Sequence, residues 1–327
     1  MRMTQLGSTG PSVSAVGLGC MGMSGMYGPS DEAEGIATIH AAIDAGINLL
    51  DTGDFYGMGH NEMLIGRALE GRREKVLLSV KFGGMRAPGG AFIGVDARPK
   101  AVKNFASYSL QRLKTGHIDI YRLARFDPDV PIEDTVGAIA DLIKSGHVRY
   151  IGLSEVGSET VRRAHATHPI VDLQIEYALV TRGIEAAILP TLRELGISVT
   201  AYGLLSRGLL SNSQVAPAGD FRAHLPRFTG ENLEKNRQLT KALGEFAAAK
   251  GVTPVQVAIA WVLHQGADIV PLIGARKRVQ LSESVAALDV KLSPEDLKQL
   301  EAVVGPSAIA GTRYDAAQMR MLDSERG

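Results

Sequence analysis

Short apolar runs rich in β-branched residues recur along the chain. Between them lie stretches whose apolar residues repeat every three to four positions. The runs predict strands at 15–19, 48–51, 76–81, 118–123, 148–154, 172–176, 198–201 and 268–272. The intervening stretches predict helices at 31–45, 61–69, 99–113, 132–144, 159–168, 184–195, 254–264 and 279–287. In the first of these, Ile36, Ile39 and Ile43 share one face. Ser30, Asn61, Ser158 and Thr253 stand where N-caps belong, and Pro99, Pro131 and Pro254 where proline opens a helix. Gly46, Gly116, Gly146 and Gly196 fall between a helix and the next strand, the usual C-cap place.

Eight strand–helix units in a row, with no break in composition, predict one parallel (β/α)8 barrel over residues 1–327. Met3–Leu6 and Ser12–Ser14, with Gly7 and Gly10-Pro11 between, predict a hairpin plugging the barrel's bottom. Residues 203–232, rich in Gly, Ser and Pro, predict a long loop after the seventh strand, and such loops are commonly functional. Residues 292–304 predict an extra C-terminal helix packed outside. A doubly wound nucleotide-binding sheet competes, because Gly17, Gly19 and Gly22 spell G-x-G-x-x-G after the first strand. No helix follows them at once, which argues against a phosphate cradle there.

Charge narrows the function. Lys+Arg and Asp+Glu number 35 each, a balance that speaks against nucleic-acid or membrane partners but allows a local phosphate site. Cys20 is the single cysteine, so no intrachain disulfide can form. The first residues lack the charged-then-apolar order of a secretory signal, and the cytoplasm is the expected location.

Polar groups concentrate at Asp51-Thr52-Gly53-Asp54-Phe55-Tyr56-Gly57, the end of the second strand, and at Lys81, the end of the third. Strand C-termini line the active site of such barrels. Asp51 and Lys81 can pair in the mouth with Tyr56 above them, and a neighbouring ammonium would lower the phenol's pKa and suit it to proton transfer. The alternative is a structural ion pair beside an ordinary loop aromatic. The segment 203–210 offers small residues for close backbone approach and the charge of Arg207. Arg276-Lys277-Arg278 place three cations at a helix start, where the macrodipole favours anions, as a phosphate site would require.

In order and spacing, the Asp51–Gly57 block, Lys81, Gly17-Leu18-Gly19, Ile118-Asp119-Ile120-Tyr121, Ile151-Gly152-Leu153-Ser154, Gln174-Ile175-Glu176-Tyr177 and Gly274-Ala275-Arg276-Lys277 resemble the aldo-keto reductases. The resemblance implies NADP(H) as cofactor and a small carbonyl or alcohol as substrate. It makes Tyr56 the proton donor, with Lys81, held by Asp51, lowering its pKa. It puts Ser154 and Gln174 on the nicotinamide carboxamide and Tyr202 against its ring. Gly203, Leu204, Ser206, Arg207, Gly208 and Leu210 would wrap the pyrophosphate. Gly274, Arg276 and Lys277, with Gln280 and Glu283, would hold the 2′-phosphate and adenine end.

Three positions depart from the family pattern. Ala124 stands where a catalytic histidine is usual, Glu155 where Asn is common, and Gly203-Leu204 where Ser-Pro is common. Ala124 can neither donate a hydrogen bond nor polarise a carbonyl. This leaves room for a second reading, a nicotinamide-binding regulatory or partner-binding protein with weak catalysis. Strand alternation puts Arg122 on the same side as Ala124. Arg122 is therefore a candidate auxiliary group reaching toward Tyr56 with Asp51 as counter-ion, against the alternative that it pairs with an acid at the barrel floor. His60 is a weaker stand-in.

Overall fold

The computed structural model describes residues 1–211, 213, 220–305 and 308–326. The chain opens with an antiparallel hairpin, β1 (Met3–Gln5) and β2 (Ser12–Ser14), in which Met3 faces Ser14. Two barrel-strand–helix units follow: β3 (Gly17–Gly19) with α1 (Glu32–Asp44), and β4 (Leu49–Gly53) with α2 (His60–Ala68). After β5 (Leu77–Phe82) comes a small hairpin, β6 (Gly84–Arg86) and β7 (Phe92–Val95), and then α3 (Pro99–Leu113). The pattern continues with β8 (Ile118–Leu123), α4 (Ile132–Lys144), β9 (Val148–Ser154) and α5 (Ser158–Thr167). Next are β10 (Ile170–Glu176), α6 (Ile188–Glu194) and β11 (Ser198–Tyr202). The chain then forms α7 (Gly230–Ala249), α8 (Pro254–His264), β12 (Ile269–Gly274), α9 (Arg278–Ala286), α10 (Pro294–Val304) and α11 (Ala316–Arg320).

The eight strands β3, β4, β5, β8, β9, β10, β11 and β12 close into a parallel barrel, β12 returning to β3 through Leu272 opposite Gly17. This is the expected (β/α)8 architecture. Of the G-x-G-x-x-G glycines, Gly17 and Gly19 lie in β3 and Gly22 in the 3-10 turn that follows it. A Cβ on Gly17 would stand 2.7 Å from a Leu272 methyl, so that glycine serves strand packing. The hairpin's Leu6 and Val13 pack with Leu49, Ile120, Val171, Val270 and Leu272 to seal one end of the barrel. A larger apolar layer fills the space between barrel and helices.

Local chemistry accounts for most element ends. Thr253 and Gln256 form a reciprocal capping box on α8, with Pro254 first in the helix. The cap of α1 is Asp31, whose carboxylate accepts from the Glu34 amide, and not Ser30. Gly59 and Gly157 occupy the cap positions expected for Asn61 and Ser158. Asn61 is instead a buried clamp, donating to the Cys20 carbonyl and accepting from Thr52. Beyond α3 it is Lys114, not Gly116, that takes the left-handed turn (φ 53°).

Two connections carry structure of their own among the described residues; positions 212 and 214–219 lie outside them. Residues 82–97 form the β6–β7 hairpin. The long loop after the seventh strand yields short 3-10 turns and then α7, at 20 residues long. Only the second half of α7 buries an apolar face, through Leu239, Leu243, Phe246 and Ala247. Its first half is held by the buried Asn236 amide, which bonds the Arg227 carbonyl and both backbone groups of Ala310. Among the described residues no single helix is long and apolar enough to cross a membrane.

Candidate active site

β4 and β5 lie in register with Asp51 opposite Ser79 and Gly53 opposite Lys81. This places two charges side by side at the C-terminal mouth. Lys81 Nζ donates to Asp51 Oδ2 at 2.5 Å, while Ser79 Oγ (2.9 Å) and Gln174 Nε2 (2.7 Å) donate to Oδ1. Asp51 is buried, and both of its carboxylate oxygens accept hydrogen bonds. Burial lowers the Lys81 pKa, Asp51 opposes that, and the charges of Arg122 and Arg125 add to the lowering.

Tyr56 follows in a tight turn. Gly57 (φ 56°), Met58 (φ 54°) and Gly59 (φ 93°) are all left-handed. A Cβ on Gly59 would strike the Arg112 side chain at 2.9 Å, so the turn needs glycine there on both counts. The turn folds the ring back over the ion pair, with Lys81 Nζ 5.1 Å from its centroid and the Phe55 ring edge-on at 4.9 Å. The expected lowering of the phenol's pKa by Lys81 is not what the free protein shows. Burial, then Asp51, hold the Tyr56 hydroxyl well above its ordinary value, and the opposing cation is Arg125. Lys81 is neutralised by Asp51, so its field at the phenol is small.

Arg122 is wholly buried but does not reach for Tyr56. Its guanidinium donates to Asp172 Oδ2 (2.9 Å), Ser79 Oγ (3.0 Å) and the Leu153 carbonyl (3.3 Å). The counter-ion is thus Asp172, not Asp51, and the reading in which Arg122 pairs with an acid inside the barrel holds. Gly152 makes the space, since a Cβ there would stand 2.5 Å from Asp172 Oδ1 and 2.9 Å from the guanidinium carbon. Arg122 touches the Asp51–Lys81 pair only through Ser79. His60 is also out of reach, bonding Ser24 and Glu32 with its two ring nitrogens.

A second buried charge cluster borders the mouth. Glu155, in a left-handed conformation (φ 54°), receives both arms of Arg313 at 2.8 and 2.6 Å, the Tyr202 hydroxyl at 2.6 Å and Ser324 Oγ at 2.8 Å. Burial alone would raise its pKa, but the charge and hydrogen bonds of Arg313, with Arg125 and the Tyr202 hydroxyl, together outweigh it and hold the carboxyl at about 2. Glu176 pairs with Arg207 (3.2 Å) and Arg227 (3.3 Å). Gly203 permits this arrangement, because a Cβ there would lie 2.9 Å from Glu176 Cγ. Arg207 also stacks 4.3 Å from the Tyr314 ring centroid and bonds the Arg313 carbonyl. The C-terminal segment therefore joins the site, through Arg313 and Tyr314, neither of which strand-end reasoning could find.

The remaining expected binding residues fall on the same face. Ser154 ends β9 opposite Gln174 on β10, and its buried Oγ has no hydrogen-bond partner among the described residues. Tyr202 ends β11 opposite Glu176. Leu204 and Leu210 are buried and can offer only backbone. Ser206 (φ 45°), Arg207 (φ 56°) and Gly208 (φ 93°) form a left-handed run, strained for the first two. Ser206 Oγ accepts from Arg227. A Cβ on Gly274 would meet nothing. Arg276 donates to the Tyr27 (2.8 Å) and Pro29 (3.3 Å) carbonyls, and its amide to Gln280. Arg278 is committed to Glu34, and Lys277 is the N-cap of α9. Glu283 is half-buried on the same helix.

Beside Tyr56, Asp54 is buried with Oδ1 unpartnered, and burial, then Glu62, push its carboxyl to about 7. A raised pKa means the folded chain binds the proton more tightly. Its contribution is therefore complete below the ordinary aspartate range and is lost as pH rises through about 7. Asp54→Asn should remove that loss, so urea midpoints from pH 5 to pH 8 should fall less in the variant than in the wild type. Parallel curves would place the titration elsewhere.

The parallel barrel thus presents a buried phenol over an Asp–Lys pair at its C-terminal mouth. Residues 15–304 match the Aldo/keto reductase family, and the chain belongs to it. It is thereby an oxidoreductase of the carbonyl–alcohol kind. Among solved structures it resembles the glycerol dehydrogenase of Gluconobacter oxydans, at 30% identity over 95% of this chain and 98% of that one, with a TM-score of 0.84. A holo-form aldo-keto reductase from Bacillus halodurans matches at 28% identity, 94% and 97% coverage and TM-score 0.78. An aldo-keto reductase from Klebsiella pneumoniae in complex with NADPH matches at 26% identity, 96% and 99% coverage and TM-score 0.75.

Proposed function

We propose that the chain reduces a small aldehyde or ketone to an alcohol with NADPH, or runs the reverse oxidation, with Tyr56 as proton donor. The observation that carries the reading is Tyr56 folded over the 2.5 Å Asp51–Lys81 pair at the barrel mouth. The bound nicotinamide supplies or accepts the hydride. The residues present fit it. The unpartnered Ser154 Oγ and the free Gln174 carbonyl suit the two ends of a carboxamide. Around the 203–210 turn, Arg207, Arg227 and Arg313 gather three guanidinium groups, balanced by Glu155, Glu176 and Glu325, and Gly203 and Gly208 allow the close backbone approach that a pyrophosphate needs. Tyr202 offers a ring face, and Gly274 open space.

Tyr56 stays protonated at neutral pH because it is buried, which is the state a donor needs for reduction. Arg125 is the cation whose field favours the phenolate once the proton has left, while the Asp51–Lys81 pair lies beneath the ring. The measurement is loss of NADPH absorbance with 4-nitrobenzaldehyde. Tight NADPH binding without turnover on any carbonyl would favour the regulatory reading instead. A cytoplasmic setting accords with the single, buried Cys20 thiol.

Cofactor choice follows from Arg276 and Lys277 at the start of α9. NADPH should bind more tightly than NADH, and Arg276→Ala should erase about ten- to a hundredfold of that preference, the worth of a charge-assisted hydrogen bond. Equal dissociation constants in the wild type would end this assignment.

A further inference from the structure

With one exception, the buried cations around the barrel mouth each have at least one carboxylate partner. Lys81 has Asp51, Arg122 has Asp172, Arg207 and Arg227 have Glu176, and Arg313 has Glu155. Arg125 is the exception. It directly follows Ala124, is half-buried, and among the described residues forms no ion pair. Its guanidinium donates to the Ala124 carbonyl (2.7 Å) and to the Tyr314 hydroxyl (3.2 Å), with its carbon 5.9 Å from the Tyr314 ring centroid. Two neutral acceptors leave most of its five donors and its whole charge unanswered.

Its position is fixed by the strand it leaves. The Ala124 amide donates to the Phe82 carbonyl, so Ala124 continues β8 alongside the end of β5, where Lys81 stands. Arg125 thus emerges beside the ion pair, and its charge is felt at both Tyr56 and Lys81. The facing groups are Tyr56, Tyr202 and Tyr314: burial holds the first two hydroxyls well above their ordinary value, while at Tyr314 burial is opposed by Arg207 and then Arg125, which lower it. Glu155, the carboxylate whose field also reaches Arg125, already has both oxygens taken by Arg313. A half-buried guanidinium without a counter-ion is costly unless a ligand supplies one. Ala124, a methyl where a ring is usual in the family, leaves room next to it.

We infer that Arg125, positioned by the Tyr314 hydroxyl, is a recognition subsite for a carboxylate on the substrate, so that the preferred substrates are aldehydes or ketones carrying an acid group. A carboxylate matches the guanidinium fork in shape and cancels its single charge, whereas a phosphate dianion would leave one charge over. Tyr314 accepts from Arg125 and gives its own O–H to the Tyr202 oxygen, whose proton goes to Glu155, so Tyr314 holds the guanidinium in place while the free guanidinium N–H groups meet the carboxylate. The inference rests on the carbonyl-reductase reading above, and names the substrate class for that site.

The test compares two matched pairs, 4-formylbenzoate against 4-nitrobenzaldehyde and succinic semialdehyde against butanal, each with NADPH. The wild type should favour the acid of at least one pair in kcat/KM by about tenfold or more, chiefly through KM. In Arg125→Gln that ratio should collapse toward one, and Arg125→Lys should restore part of it. Wild-type ratios near one for both pairs, or a ratio unchanged in Arg125→Gln, would overturn the inference while leaving the reductase reading intact. Calorimetric titration of 4-formylbenzoate into wild type and Arg125→Gln is independent of turnover. Binding weakened at least tenfold in the variant supports the subsite, and equal binding overturns it. Failure to reduce any of the four compounds would instead count against the reductase reading, with the titration still deciding the subsite.

Discussion

Tyr56→Phe should bind NADPH as the wild type does and lose about a hundred- to ten-thousandfold in turnover, the range for removing a positioned acid. The substitution keeps the ring, and with it the Phe55 edge contact and the cover over Lys81. What vanishes is one hydroxyl used only while the substrate oxygen gains its proton. The loss should therefore appear in kcat and kcat/KM together. Stopped-flow hydride transfer and cofactor titration on the same variant separate the two quantities. Turnover within threefold of wild type would remove Tyr56 from the role.

Arg313→Leu should cost about 3–5 kcal/mol of stability, the usual consequence of stripping a buried carboxylate of its partner. The pH dependence should change as well. In the wild type the Glu155 carboxyl is held at about 2, below its ordinary value. Its stabilising contribution is present above the ordinary glutamate range and is lost as pH falls toward about 2. Without Arg313 the burial of Glu155, the largest single influence on it, loses its main opponent. The carboxyl then rises, and stability should fall as pH increases instead. Urea denaturation between pH 3 and pH 8 reads both effects. A variant with the wild-type midpoint at pH 7 would show that something other than the C-terminal arginine neutralises Glu155.

The barrel was legible because its strands and helices carry their own signals. Buried β-branched runs mark β8 and β9 to the residue, and α3, α4 and α8 likewise coincide with their apolar periodicity. The helix that escaped, α7, begins with a polar half anchored by an amide side chain, and no apolar period announces that. The same division holds for the site. Asp51, Lys81 and Tyr56 lie at consecutive strand ends, so the barrel rule brings them together. Arg122 could be placed in the interior by alternation, but its partner could not. Asp172 lies 50 positions away on a strand whose facing residues only the closed barrel defines. Glu155 stood out as a departure from the family pattern. The reason for it, Arg313, lies in a C-terminal segment of little periodicity, and chain order gives no hint that the two meet.

That pairing bears on how the protein is made. Arg313 and Glu155 are separated by 158 positions, and Ser324, which also bonds Glu155, comes later still. A chain emerging from the ribosome presents Glu155 long before either partner exists. The strands can assemble once β12 is available to meet β3, but until Arg313 arrives the barrel holds a buried acid beside its mouth without its guanidinium partner. Completion of the barrel mouth is therefore tied to the arrival of Arg313, and a nascent chain stalled before it would carry Asp51, Tyr56 and Lys81 on a scaffold still missing that counter-charge.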